Sequence, residues 1–168
     1  YQWEMNFPLQ GYNECLITYI LAASSPTHAI DAETFYKGWT RNGTYLTDKS
    51  KYGLPLYVKH NYSEEYGGPL FWAHYSYIGL DARGLSDKLI KNYCDLNKNQ
   101  VLIDYKYCVE NPKNWKGYGE NYWGLTASYT RNNDGGVGYT AHQPTEDRGV
   151  ITPTAALSSF PYSPKESM

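Results

Sequence analysis

The chain has 168 residues, of which 41% are hydrophobic and 19% are charged, and its formal net charge is −2. This size and composition suit one globular domain with its own core, and the near-neutral charge excludes the basic surface that a nucleic-acid-binding protein needs. Residues 15–30 form a long uncharged run, but Ser, Pro, Thr and His occupy its second half, so its apolar part is too short to cross a bilayer.

Two helices and a long loop are predicted in the first part of the chain. In residues 11–24 the apolar side chains recur at helical spacing, and a Ser-Ser-Pro run ends the pattern. Asp31 is a good N-cap for a second helix over residues 31–39, which an Asn-Gly turn ends. Residues 41–68 are rich in Gly, Asn, Asp and Ser, and they predict an irregular segment with one short strand near residues 56–59.

Helical sequence then returns, followed by a second Gly-rich stretch. Pro69 opens a third predicted helix, which ends at Gly79. Shared apolar faces predict a fourth helix from near Ser86 and a further one over about residues 100–109. Residues 113–149 carry many glycines and are predicted to be mostly loop, which is where a helical protein tends to place a site.

The end of the chain predicts two more helix starts. Residues 153–159 predict a helix, and Ser163, Pro164 and Glu166 have the order of an N-cap, a first-turn proline and a capping-box glutamate. Because that second helix would begin at the end of the sequence, we expect the chain to be a piece of a larger protein. Helices that alternate with Gly-rich loops predict an all-α fold whose loops gather at one end.

Tyrosine dominates the aromatic residues, since the chain has 19 Tyr and 5 Trp but only 4 Phe. Such rings stack on the C–H faces of a sugar while their polar groups bond its hydroxyls. Tyr-rich cores and protein interfaces give the same count, so composition leaves both roles open. Cys15, Cys94 and Cys108 are odd in number and have no C-x-x-C spacing, which indicates neither a disulfide framework nor a zinc site. We predict no metal and no cofactor.

Three glutamates are candidates for acid–base chemistry. Cleavage of a glycosidic bond needs two carboxyl groups, one protonated as the acid and the other ionised as base or nucleophile. Glu4, Glu14 and Glu120 each lie among Trp, Tyr, Asn or Gly rather than among other charges, and burial in such a setting raises a carboxyl pKa. Each also has a structural explanation: Glu14 as an acid favoured by a helix dipole, Glu4 as a buried partner of a cation, and Glu120 as a loop carboxylate that binds backbone N–H groups.

Two histidines have different settings. His74 lies on an apolar predicted helix, where a hydrogen-bonded core histidine is commoner than a ligand. His142 lies on a predicted loop and can face a sugar. Neither belongs to a His-x-x-x-His pair, so no metal site is indicated.

Four long blocks, spread from one end of the chain to the other, carry a family resemblance. They are residues 2–14 (QWEMNFPLQGYNE), 67–75 (GGPLFWAHY), 117–128 (GYGENYWGLTAS) and 149–156 (GVITPTAA). Together they resemble the glycoamylase-like domain family of bacterial carbohydrate-active enzymes. The resemblance implies an (α/α)6 toroid with its cleft at one end, and a complete enzyme longer than this chain.

The resemblance also implies a reaction and a set of site residues. Characterised members act on β-1,2-glucan, by inverting endo-hydrolysis or by releasing sophorose from chain ends. By this resemblance Glu14 is the first choice for the general acid, and Glu120 and Glu4 supply the base, position water or contact sugar hydroxyls. The residues expected to contact sugar are Trp3, Tyr12, Trp72, His74, Tyr122, Trp123 and His142.

Two other functions stay open beside β-glucan hydrolysis. One is glucoamylase-like hydrolysis of α-glucan, and the other is a non-catalytic module that grips glycan through its aromatic rings. If the chain belongs to a β-glucan hydrolase, residues 1–168 are an incomplete catalytic domain whose partners are a saccharide and the remaining helices of the parent protein. The resemblance further implies a periplasmic or secreted enzyme.

Overall fold

The computed structural model describes residues 7–168. Within that range lie five α-helices and two two-stranded antiparallel sheets. The helices are α1 (Leu16–Ala23), α2 (Ala32–Thr34), α3 (Phe71–His74), α4 (Tyr93–Glu110) and α5 (Pro153–Ser158). The strands are β1 (Ser50–Lys51), β2 (Leu54–Pro55), β3 (Ala127–Arg131) and β4 (Val137–Ala141). A π-helical turn over Phe35–Trp39 continues α2, and 3-10 turns cover Tyr75–Ile78 after α3 and Pro144–Glu146 after β4.

The prediction of an all-α fold, as part of an (α/α)6 toroid, is wrong for the described residues. Strands β3 and β4 pair in the stretch that was predicted to be loop, with Tyr129 opposite Tyr139. Along each strand the exposure alternates, so that Thr130 and Thr140 are buried while the two tyrosines are exposed. The glycines and asparagines that indicated a loop form the turn of this hairpin, where Gly135 has a φ of 85°.

The second correction concerns α4, which replaces two predicted helices. No helix starts near Ser86, because the Asp87 carboxylate accepts the backbone N–H groups of Leu89 and Ile90 at 2.6 and 2.8 Å and so forms a turn. Helix α4 begins instead after Asn92, whose side chain caps it by accepting the N–H of Asp95. It then runs without a break for 18 residues.

The helix predictions over residues 11–24, 31–39, 69–79 and 153–159 are confirmed in place, with shorter bounds, whereas the helix predicted to start at Ser163 is only a turn. Helix α1 starts only at Leu16, because the Asn13 side chain accepts the N–H of Cys15 at 2.9 Å and holds a turn before the helix. Helix α5 matches the predicted residues 153–159. The capping pattern at Ser163 gives one turn, in which Ser167 N–H donates to the Ser163 carbonyl at 3.0 Å.

Helix α4 joins two hydrophobic cores. Its first turns, with Tyr93 and Leu96, pack into a core that also contains Leu16 of α1 and Trp39. Its last turns pack into a second core with Leu70, Val101, Tyr107, Cys108, Trp123, Leu125 and Ala155. None of the described helices is both long enough and apolar enough to cross a membrane.

Candidate active site

A cavity of about 780 Å³ opens between the segment before α1 and the long loop after the π-helical turn. The first wall comes from residues 7–15 and the second from residues 41–62, and the start of α3 also contributes. A volume of this size accommodates a short oligosaccharide. The side chains on its surface that suit sugar contacts are Gln10, Asn13, Glu14, Arg41, Lys59, Asn61, Tyr62, Phe71 and Trp72.

Glu14 lies on the wall of this cavity, in the turn that precedes α1. Its residue is half-buried, and its backbone is fixed by Ser76, whose hydroxyl donates to the Glu14 carbonyl at 2.5 Å and accepts the N–H of Ile17 at 3.1 Å. No residue within 7–168 forms a hydrogen bond to the Glu14 carboxylate. The backbone is therefore held while the carboxyl group stays available to a ligand.

Trp72 forms a flat surface on the same cavity. Its indole stacks on the imidazole of His60 with centroids 5.9 Å apart and planes inclined by 9°, and Phe71 lies edge-on to it at 6.1 Å. Burial lowers the pKa of His60 to about 3, so this imidazole is neutral. A Cβ atom at Gly68 would lie 2.3 Å from the indole, so this stack requires glycine there. Such a fixed ring can support the face of a sugar.

Tyr12 borders the cavity but serves mainly as its support, since only 2% of the residue is exposed. Its hydroxyl donates to Asn97 Oδ1 and lies 3.2 Å from the Tyr77 hydroxyl, and its ring meets His60 edge-on at 5.5 Å. Burial raises the pKa of Tyr12 well above its ordinary value. The Tyr12 ring therefore supports the imidazole of His60, and the indole of Trp72 is the surface that a ligand can reach.

The two histidines singled out in the sequence lie outside the cavity lining. His74 Nε2 is 3.1 Å from the Ser159 hydroxyl, which itself donates to the Ala155 carbonyl, so the imidazole is the donor. Burial lowers the pKa of His74 to about 4. His142 is fully buried with its Nε2 2.6 Å from the Thr130 hydroxyl, and burial lowers its pKa as well.

The block around Glu120 also lies outside the lining. Glu120 is exposed at the tip of a turn closed by Gly119 and Tyr122. The side chain of Tyr122 is exposed, whereas Trp123 is 3% exposed and donates its indole N–H to the Glu166 carbonyl at 2.8 Å. The structure thus brings Glu14, Tyr12 and Trp72 together at the cavity. It places Glu120, Tyr122 and Trp123 outside the lining. The two remaining predicted site residues, Glu4 and Trp3, fall outside the described residues.

Residues 6–168 match the family described as "Putative glucoamylase". The chain belongs to this glycoamylase family. It is 40% identical over 181 residues to an exo β-1,2-glucooligosaccharide sophorohydrolase (non-reducing end) from Parabacteroides distasonis, a match that covers 99% of this chain and 24% of that protein.

Solved structures agree with the family assignment. The endo-β-1,2-glucanase from Chitinophaga pinensis, solved with sophorotriose and glucose, is 53% identical with a TM-score of 0.89 over 99% of this chain and 39% of its own. The β-1,2-glucanase from Parabacteroides distasonis is 39% identical with a TM-score of 0.82 over 95% of this chain and 24% of its own. This glycoamylase-family chain therefore spans less than half the length of each of these relatives.

Sequence reasoning missed most of the second wall of the cavity in this glycoamylase-family chain. Arg41, Lys59, Asn61 and Tyr62 lie in the loop that was predicted only to be irregular. A signal was present, because Asn-Gly and Asn-Tyr turns flank this loop and long loops on a fixed scaffold often carry sites. Among residues 7–168, no group of three or more His, Cys, Asp or Glu side chains is arranged to hold a metal ion.

Proposed function

We propose that this chain contributes one part of the substrate site of a glycoside hydrolase that cleaves β-1,2-glucan or its oligosaccharides. The observation that carries the proposal is Glu14, a half-buried residue with a carboxyl group, on a cavity that also presents the Trp72 ring. The sequence identity of 53% to an endo-β-1,2-glucanase supports the linkage.

Glu14 fits the role of general acid. In this role its protonated carboxyl group donates to the glycosidic oxygen as the bond to the anomeric carbon breaks. The fixed carbonyl of Glu14 limits where the carboxyl group can reach. Trp72 would hold the adjacent sugar by its C–H face, which keeps the glycosidic oxygen within reach of the acid.

A second carboxyl group is needed, and we propose an inverting arrangement. There the base activates a water molecule on the opposite face of the sugar, with about 6.5–9.5 Å between the two carboxyl groups. Glu14 is the single acidic residue that lines the cavity among the described residues. The base would then come from Glu4, which lies outside them, or from further chain in a longer protein of which residues 1–168 form one part of the catalytic domain.

The experiment that tests this proposal is product analysis of the complete protein, incubated separately with β-1,2-glucan and with starch-like α-glucan. We expect sophorose-series products from β-1,2-glucan, and their loss in Glu14→Gln. Release of the α-anomer on cleavage of the β-linkage, followed by polarimetry or NMR, would support inversion. Retention of the β-anomer would contradict it.

Hydrolysis of α-glucan is a second candidate, because the matched family is described as a glucoamylase. Cleavage of α-glucan alone would support this candidate and overturn the β-1,2 linkage. A non-catalytic glycan-binding module predicts binding without products from either polymer. Loss of turnover with retained binding in Glu14→Gln would exclude it.

We also propose a periplasmic or secreted location. The support is the nature of the substrate, since a polymeric glucan reaches an enzyme most directly outside the cytoplasm. Cell fractionation with an antibody against the protein tests this, and recovery of all the protein with a cytoplasmic marker would contradict it.

A further inference from the structure

The side chain of Tyr62 crosses the cavity from one wall to the other. Tyr62 belongs to the wall of residues 41–62, and its hydroxyl accepts a hydrogen bond from Gln10 Nε2 on the opposite wall at 3.1 Å. Arg41 donates a second hydrogen bond to the same oxygen at 3.2 Å, and its guanidinium carbon lies 5.7 Å from the ring centroid. Contacts from both walls therefore fix the ring across the open volume.

The backbone at Tyr62 is one that favours glycine. His60 and Ser63 exchange both backbone hydrogen bonds, at 3.1 and 3.0 Å, around a two-residue turn. The two central residues, Asn61 and Tyr62, have φ values of 50° and 65°, which define the left-handed turn of a tight hairpin. Asparagine is common at the first of these positions and glycine at the second, so a tyrosine here is unusual.

Within residues 7–168, packing in the hydrophobic cores does not account for that tyrosine. The residue is 67% exposed and belongs to neither hydrophobic core. Arg41, its hydrogen-bond donor, also has a positive φ, of 49°. Strained backbone that places side chains in a cavity, and that the core does not require, is typical of functional positions.

We propose that Tyr62 is a specificity-determining residue that closes one end of the glucan-binding cavity and so limits how far a glucan chain can extend. This inference rests on the proposed function. A ring tied to both walls would stop a sugar chain from extending past it. Of the relatives, one is named for exo action and another for endo action, and these actions differ in whether a chain can continue past the cleavage site.

The test is Tyr62→Gly in the complete protein. This change removes the ring and gives the turn its preferred residue, so the variant is expected to fold at least as well as the wild type. We expect the ratio of kcat/KM for long β-1,2-glucan to kcat/KM for short oligosaccharides to rise about tenfold, as one further sugar contact would give. The products should become longer. Tyr62→Phe keeps the ring but loses both hydrogen bonds, and should give a smaller rise.

Tyr57→Gly is the matched control. Tyr57 also has a positive φ, of 64°, but it does not line the cavity, so its removal should leave the ratio and the products unchanged. An active Tyr62→Gly variant with unaltered ratio and products would overturn the inference, as would an equal loss of affinity for long and short substrates, which would make the ring a stacking surface. If the wild type cleaves no β-1,2-glucan, the proposed function fails and this inference with it.

Discussion

Glu14 on the cavity and Asp147 beside the second core have opposite surroundings. Glu14 borders open volume, and no residue within 7–168 bonds its carboxylate. Asp147 is 4% exposed, and its carboxylate accepts hydrogen bonds from the hydroxyls of Tyr118 and Tyr107 and from Gly149 N–H at 2.7, 2.9 and 2.9 Å. A carboxylate whose oxygens are bonded in this way serves the fold, whereas one on a cavity is available for chemistry.

Asp104 shows a third arrangement within the same second core. Its Oδ1 accepts Leu125 N–H at 3.1 Å, but its buried Oδ2 has no hydrogen-bond partner among residues 7–168. Burial raises the pKa of Asp104 well above its ordinary value; the hydrogen bond from Leu125 opposes the shift and the Asp147 carboxylate adds to it. Burial alone therefore does not show whether an acidic residue stabilises the fold. The number of hydrogen-bond donors around its carboxylate shows this more clearly.

The largest effect is expected for Glu14→Gln. This change should lower kcat/KM on β-1,2-glucan about a thousandfold, because it removes the proposed acid, and should leave the free energy of unfolding within about 0.5 kcal/mol. Steady-state kinetics and urea unfolding measure the two quantities. Glu120→Gln is the matched control, and we expect its activity to stay within about twofold of wild type, since Glu120 is exposed outside the cavity. An equal loss in both variants would mean that Glu120 reaches the substrate.

Asp147→Ala should lower the stability of the fold and leave substrate binding unchanged. It removes three hydrogen bonds and leaves the Tyr107 and Tyr118 hydroxyls without their partner, so we expect the free energy of unfolding to fall by about 3 kcal/mol. The value of KM for the folded fraction should not change. Asp134→Ala, at an exposed turn, is the control and should cost less than about 1 kcal/mol. A loss of activity without a loss of stability would contradict the structural role of Asp147.

The sequence predicted local elements better than the partners of individual side chains. Helical periodicity found the segment of α1, and the family blocks picked out Glu14 and Trp72, which share the cavity. The hairpin of β3 and β4 was missed because Gly and Asn mark a loop and a tight turn alike. Local pattern cannot tell these apart when the strands are only five residues long.

Long-range contacts explain why other residues were not recognised. The pairing of Tyr107 with Asp147 joins residues 40 positions apart, and that of Gln10 with Tyr62 joins residues 52 apart. Neither pair has a spacing that indicates contact. The left-handed backbone at Tyr62 is likewise invisible in the sequence, because it follows from the hydrogen bonds between His60 and Ser63 rather than from residue preference.

A smaller effect is expected for Gly68→Ala on the cavity side. The added methyl group would meet the Trp72 indole at 2.3 Å and push it from His60, so we expect KM to rise about fivefold and the free energy of unfolding to fall by about 1–3 kcal/mol. Tryptophan fluorescence should report the displaced ring. Gly119→Ala is the control, because its Cβ atom would meet nothing within 4 Å. An unchanged KM in Gly68→Ala would show that Trp72 does not hold the sugar.

The last expected effect is a pH-dependent gain in stability in Asp104→Asn. Because the folded pKa of Asp104 lies above the unfolded value of about 3.9, the folded protein retains a proton that the unfolded chain releases above that pH. Stability is therefore lost as the pH rises from about 3.9 towards the folded pKa, by up to about 1.4 kcal/mol for each pH unit. Asparagine keeps an oxygen for Leu125 N–H and cannot ionise.

The variant should accordingly lack this part of the pH dependence. We expect Asp104→Asn to match the wild type near pH 3.5 and to exceed it at pH 7 in urea unfolding, by up to about 1.4 kcal/mol for each pH unit of the window. Parallel curves for Asp104→Asn and wild type would contradict the raised pKa of Asp104.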